Sequence, residues 1–127
     1  MKYVIDSSGW IHYFLNGPAV ARYAKVIQKL GRIVTPAIVV YEVYKTIKHS
    51  SNESLASDAV EALQHTMIIP LDSHLACSAA DISLDCRLSM ADSIVYATAR
   101  KYDIPLYTSD ADFKNLPNIK YIPSEAD

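Results

Sequence analysis

Glycine is scarce in this chain. Its three glycines, Gly9, Gly17 and Gly31, stand too far apart to build a phosphate-cradling loop. That excludes the P-loop and dinucleotide-binding chemistries, which need closely spaced glycines where a strand turns into a helix. Cysteine is scarcer still. Cys77 and Cys86 lie nine positions apart with no CxxC pattern, and their apolar helical context predicts buried free thiols rather than a disulfide or a zinc site. His74 shares a helix face with Cys77, but no second ligand pair accompanies them, so zinc is not expected. No apolar run approaches the roughly 18 residues of a membrane span. The opening Met-Lys-Tyr-Val-Ile-Asp contains no signal-peptide core, because Asp6 interrupts it, and the expected location is cytoplasmic. A surplus of positive charge is also missing: the formal net charge is −2.

What is present is ordinary for a globular protein, with 50% hydrophobic and 20% charged residues. A length of 127 residues predicts a single domain over residues 1–127 with a core of its own. The positive charge is unevenly spread. Residues 22–48 carry Arg22, Lys25, Lys29, Arg32, Lys45 and Lys48 against Glu42 alone. Arg22, Lys25 and Lys29 share one face of a predicted helix, which is either a solvated face or a surface that tracks phosphates.

Hydrophobic periodicity and turn chemistry divide the chain into alternating elements. Tyr3-Val4-Ile5 reads as a buried strand. Ser7-Ser8-Gly9 offers a turn and cap before a helix over Trp10–Leu15, which Asn16-Gly17-Pro18 closes. A helix from Ala19 to Leu30 is expected, with Gly31 as its terminating residue, then at most a short strand at Arg32–Val34. Thr35-Pro36 reads as an N-cap and first helical residue, opening a helix that ends near His49. Residues 53–65 form an amphipathic helix, Met67–Ile69 a strand, and His74–Cys86 a helix capped by Asp72. Ser89-Met90-Ala91-Asp92 fits a capping box for a buried helix that ends near Tyr102. Leu106–Thr108 and Ile119–Ile122 are strands, and Pro123 onward is a tail. Strands alternating with helices predict an α/β three-layer sandwich, its central parallel sheet of four to five short strands flanked by helices.

In such a sheet, reacting groups collect beyond the carboxyl ends of the strands. Asp6 ends the first strand. Asp110 and Asp112 follow the strand that ends at Thr108, and Glu42 and Asp92 lie in early turns of two helices. Carboxylates converging without a basic partner raise one another's pKa, and a divalent cation removes that penalty. An all-oxygen site suits Mg²⁺ or Mn²⁺, and such ions serve phosphodiester hydrolysis. Ser7, Ser8, Thr108 and Ser109 are candidates to hydrogen-bond metal waters or the phosphate. Trp10, Tyr13 and Phe14 form either a partner surface or an internal helix face. Most tyrosines, such as Tyr3, Tyr96 and Tyr107, read as core residues with a hydroxyl at the rim.

Four blocks in order, Val-Ile-Asp-Ser-Ser, Thr-Pro-Ala-Ile-Val-Val-Tyr-Glu-Val, Leu-Ser-Met-Ala-Asp-Ser-Ile-Val-Tyr-Ala-Thr-Ala and Leu-Tyr-Thr-Ser-Asp-Ala-Asp-Phe, resemble PIN-domain ribonucleases. The likeness is greatest to the VapC toxins of toxin–antitoxin pairs and runs from Tyr3 to about Ile122. It implies catalytic acids at Asp6, Glu42, Asp92 and Asp110, with Asp6, Asp92 and Asp110 holding Mg²⁺ or Mn²⁺. Asp112, Ser7 and Thr108 would support them, with Asp110 preferred over Asp112 as the metal-facing acid and Asp112 as a second-layer group or the cap of the next turn. It further implies RNA as substrate, a homodimer, and a VapB-like antitoxin. Asp72, Asp81 and Asp85 stay outside the site. Setting the five candidate site acids aside leaves nine acids against twelve bases, so an acidic total does not exclude RNA.

Two rival activities weaken at the first strand. A receiver-type phosphoacceptor domain would use Asp72, Thr108 and Lys120, but needs paired acids where Asp6 is followed by Ser7-Ser8. A haloacid-dehalogenase-type phosphatase needs an acid where Ser8 stands. A third alternative keeps the fold without catalysis, as a PIN-like RNA-binding module.

Overall fold

Five short runs pair into one parallel sheet: β1 (Tyr3–Ile5), β2 (Ile33–Pro36), β3 (Met67–Ile69), β4 (Leu106–Thr108) and β5 (Ile119–Tyr121), in the order β3-β2-β1-β4-β5. The computed structural model describes residues 1–124, so the predicted tail is seen only as far as Ser124. Val4, Ile5, Ile33, Val34 and Leu106 are at most 1% exposed, as expected for parallel strands covered on both faces. The helices between them are α1 (Ser7–Phe14), α2 (Val20–Ile27), α3 (Ala37–Ser50), α4 (Glu53–Gln64), α5 (Ser73–Cys86) and α6 (Met90–Lys101). The chain steps one way across the sheet from β1 to β3 and then returns to β4. Right-handed crossovers therefore place α1–α4 on one face and α5–α6 on the other, the predicted three-layer α/β sandwich.

The order also decides against a receiver domain, whose sheet runs 2-1-3-4-5. Here β3 is an edge strand. Asp72, just beyond it, is an exposed helix cap that accepts a hydrogen bond from the Leu75 amide at 2.8 Å.

Three local expectations need correction. Thr35 and Pro36 belong to β2, not to the following helix: Thr35 pairs with Ile68 and Pro36 with Ile69. The Thr35 hydroxyl meets that of Thr66 at 2.6 Å rather than capping α3, and Pro36 occupies a strand end, where a missing N–H is tolerated. Second, α2 stops at Ile27, and Leu30–Arg32 is a separate 3₁₀ turn. Gly31 lies in that turn with an ordinary negative φ, so it terminates nothing. Third, α1 begins three residues before Trp10, because Asp6 caps it by accepting from the Ser7 amide at 2.8 Å.

The cysteines also differ from expectation. Both are free thiols, but Cys77 is exposed and Cys86 only half-buried. Trp10 is fully buried while Tyr13 is exposed, so the aromatic stretch is mainly an internal face. Tyr3 and Tyr96 are buried with hydroxyls donating to the carbonyls of Val26 and Pro117, as predicted. Between α5 and α6 runs an apolar groove of about 530 Å³, at which Leu84 is 81% and Met90 74% exposed. No helix among the described residues is long and apolar enough to cross a membrane.

Candidate active site

The sheet changes direction between β1 and β4, which are neighbours although a hundred residues separate them. In open α/β sheets the crevice beyond the carboxyl ends of two such strands is where ligands bind. Asp6 follows β1 there, and Thr108, Ser109 and Asp110 close or follow β4.

Asp6 is 3% exposed. Its Oδ1 accepts from the Ser7 amide at 2.8 Å, and its Oδ2 accepts from Thr108 Oγ1 at 2.9 Å and Ser8 Oγ at 3.3 Å. Burial pushes its pKa up to about 6; the Thr108 hydroxyl works against that rise, and the charge of Glu42 adds to it. Thr108 Oγ1 in turn accepts from the Asp110 amide at 3.0 Å. One hydroxyl thus fixes the carboxylate of Asp6 and the backbone of Asp110 together.

Asp92 stands in the first turn of α6, whose N-cap is Ser89; the Asp92 amide donates to Ser89 Oγ at 3.3 Å. The capping position read from the sequence is therefore present. The carboxylate of Asp92 is pushed up to about 7, first by burial and then by the charges of Asp110 and Asp6. Glu42, half-buried on α3, is also raised: burial dominates, a Ser7 hydrogen bond opposes it, and Asp92 and Asp110 add repulsion. Side chains from α3, α6, the end of β1 and the segment after β4 thus feel one another's charge. Among the described residues the one salt bridge is Lys48–Glu53, remote from all of them.

Asp92, Asp110 and Asp112 can each bring one oxygen within 4.8 Å of the others. Asp6 is outside that trio and joins it through Thr108. Asp110, not Asp112, caps the turn at Ala111–Phe113, accepting from the Asp112 amide at 2.9 Å, and Asp112 is exposed. The donor set is all carboxylate and hydroxyl oxygen with no histidine or thiol, and no cation offsets it. It fits a hard divalent ion.

The candidate hydroxyls also bond to one another and to the backbone of the site. Ser8 Oγ donates to Asp6 and accepts from the Ser109 amide at 3.1 Å, and Ser109 Oγ pairs with the Tyr23 hydroxyl at 2.7 Å. Ser8 and Thr108 thereby hold the carboxylate of Asp6 in place. Tyr23, fully buried on α2, was not legible as part of this network; burial pushes its pKa up to about 12. Its ring lies against the Gly9 backbone and stacks on His12 at 5.9 Å. Tyr23→Phe keeps the packing and leaves Ser109 Oγ without its partner, an expected loss of about 1 kcal/mol in chemical denaturation. An unchanged midpoint would mean that the hydrogen bond is dispensable.

A groove of about 440 Å³ opens from Asp110 along α1, lined by Ser8, His12, Gly17, Ser109 and Ser124 among others.

Comparison with known proteins agrees with this architecture. A search of curated proteins finds no match. Among solved structures, a toxin–antitoxin complex from Klebsiella pneumoniae superposes with a TM-score of 0.81 at 21% identity, covering 98% of this chain and 100% of that one. VapC20 of Mycobacterium tuberculosis, described as a sarcin–ricin loop cleaving toxin, gives 0.82 at 16% identity, covering 96% and 100%. The DNA-bound VapBC of Salmonella typhimurium gives 0.75 at 16% identity, covering 97% and 98%. At these identities the likeness is one of fold. The sequence itself matches the PIN domain profile over residues 3–119, and the chain accordingly belongs to the PIN domain family.

Proposed function

We propose that this chain is a metal-dependent ribonuclease that hydrolyses RNA phosphodiester bonds, and that it is the toxin of a VapBC-type pair. The observation that carries the reading is that Asp6, Glu42 and Asp92 each feel the charge of Asp110 beside the switch point of the sheet, with none of these acids in a salt bridge among the described residues. Four carboxylates of this kind are costly unless they bind something positive.

Asp6, Asp92 and Asp110 would hold Mg²⁺ or Mn²⁺, with Asp112 at the rim. When bound, such an ion polarises a phosphate oxygen and acidifies a water. The chain's own residues do the rest. Thr108 and Ser8 fix the rotamer of Asp6. Glu42, held in a more proton-binding state than an exposed glutamate, would orient the attacking water and take its proton. Capping of α6 by Ser89 fixes the approach of Asp92.

The neighbours support the finer parts of this reading. One is described as a sarcin–ricin loop cleaving toxin, one as a toxin–antitoxin complex and one as DNA-bound VapBC, which favours a nucleic-acid-cleaving toxin with a VapB-like antitoxin as partner. A homodimer in the cytoplasm completes the proposal, and light scattering of the purified chain at twice the monomer mass is its check.

The test is RNA cleavage by the purified chain with Mg²⁺ or Mn²⁺ against the same chain in EDTA. Discrete new RNA ends are expected only with the metal. Asp72→Asn is expected to cleave at the wild-type rate, because that carboxylate only caps α5. Equal cleavage in EDTA, or no cleavage in any metal, would overturn the proposal.

A further inference from the structure

The basic stripe on α2 does not end in solvent. Arg22 and Lys25 line a groove of about 450 Å³ together with Lys120 of the edge strand β5, and Val26, Tyr107 and Tyr121 complete most of its wall. Among the described residues no acidic side chain lines it. None of the three cations is in a salt bridge among the described residues. Lys114 stacks over the Tyr121 ring at 5.3 Å and extends the positive edge.

The groove adjoins the acid cluster. Lys120 lies opposite Tyr107, and Tyr121 opposite Thr108, whose hydroxyl holds Asp6. The Ile122 amide donates to the Thr108 carbonyl at 2.8 Å. On the other wall Tyr23, next to Arg22, reaches Ser109. A polyanion cut at the acids passes a strongly negative bowl, so the charges that hold it have to lie outside that bowl. Arg22, Lys25 and Lys120 are such charges, in a groove that Tyr107 of β4 also lines, one residue before Thr108.

We infer that the α2–β5 groove is the binding track for an RNA flank, with Arg22, Lys25 and Lys120 on successive phosphates. This rests on the ribonuclease reading for its substrate class. Lysine and arginine track the phosphate backbone without reading sequence, so a short single-stranded RNA serves as the probe.

The test is fluorescence anisotropy of a labelled single-stranded RNA titrated with the full chain in EDTA, across a series of salt concentrations. Three phosphate contacts predict that log K falls against log salt with a slope of about −2. The triple variant Arg22→Glu, Lys25→Glu, Lys120→Glu is expected to lose at least about tenfold in affinity and most of that slope. A charge-matched control, Lys48→Glu, Arg87→Glu, Lys101→Glu, is expected to bind as the wild type does. Melting curves confirm that both variants fold.

Wild-type binding by the triple variant, or equal weakening by the control, overturns the track. So does an acidic peptide that competes as well as RNA of the same charge, which would make the groove a protein site. The two readings fail separately. Cleavage that persists while the triple variant binds normally removes the groove and leaves the nuclease. Groove-dependent binding without cleavage in any metal removes the nuclease and leaves the groove.

Discussion

Asp92→Asn is expected to abolish RNA cleavage, by about a thousandfold or more, while making the metal-free chain more stable. The first effect follows because a lost carboxylate weakens the hold on a charge that stabilises the transition state by several kcal/mol. The second follows from the direction of the shift. Asp92 has an ordinary carboxylate pKa of 3.8 when unfolded and about 7 when folded, so the folded state binds more protons between those values. Its stability is complete below about pH 4 and falls as pH rises through about 7. Asparagine carries no charge to lose. Allowing for solvent at this half-buried site and for coupling to Asp110, the gain at neutral pH is about 1–2 kcal/mol, or about 4–8 °C in melting temperature. Melting in EDTA from pH 4 to pH 8 checks it: the wild-type curve falls and the variant's is flatter. Manganese is expected to raise the wild-type melting temperature and to have little effect on the variant. A variant that melts below the wild type at neutral pH would show that the acids do not repel one another.

Gly9→Ala is expected to be the most damaging small substitution. An added Cβ would enter the Tyr23 ring and stand 2.7 Å from Ile5 Cγ2. Neither neighbour can yield: Ile5 lies in β1 and Tyr23 is fully buried between α1 and the sheet. Overpacking of this kind costs about 1–3 kcal/mol. It also shifts the Tyr23 hydroxyl from Ser109, and through Ser109 and Ser8 the carboxylate of Asp6. Urea denaturation is expected to show the loss, and metal affinity is expected to fall further than in Tyr23→Phe. A double variant, Gly9→Ala with Tyr23→Phe, that remains as unstable as Gly9→Ala alone would assign the damage to the ring's packing. Wild-type stability of Gly9→Ala would mean that the ring moves freely.

The sequence made the architecture readable because strand and helix signals alternate, and β1 and β4 are short runs followed by acids. The convergence of Asp6, Asp92 and Asp110 followed from one rule, that groups gather beyond the carboxyl ends of parallel strands. Local chemistry misled where a tertiary partner outweighed it. Thr35-Pro36 has the form of a helix start, yet pairing with β3 and the Thr66 hydroxyl keeps it extended. Ser7-Ser8-Gly9 has the form of a turn, yet the buried Asp6 carboxylate caps a helix that begins there. The Tyr23–Ser109 bond could not be read at all, because it joins residues 86 positions apart and nothing in either neighbourhood announces the other.

The hydroxyl of Thr108 reaches Asp6 across 102 positions of chain, and this sets a schedule on synthesis. Segments emerge from the ribosome amino end first. Asp6 therefore lacks its Thr108 partner until β4 has been made, although Ser7 and Ser8 already reach it. A truncated product that stops before β4 lacks Thr108 and Asp110 outright. The bowl of acids thus cannot close before β4 has emerged, and a chain that stops short of it carries only a fragment.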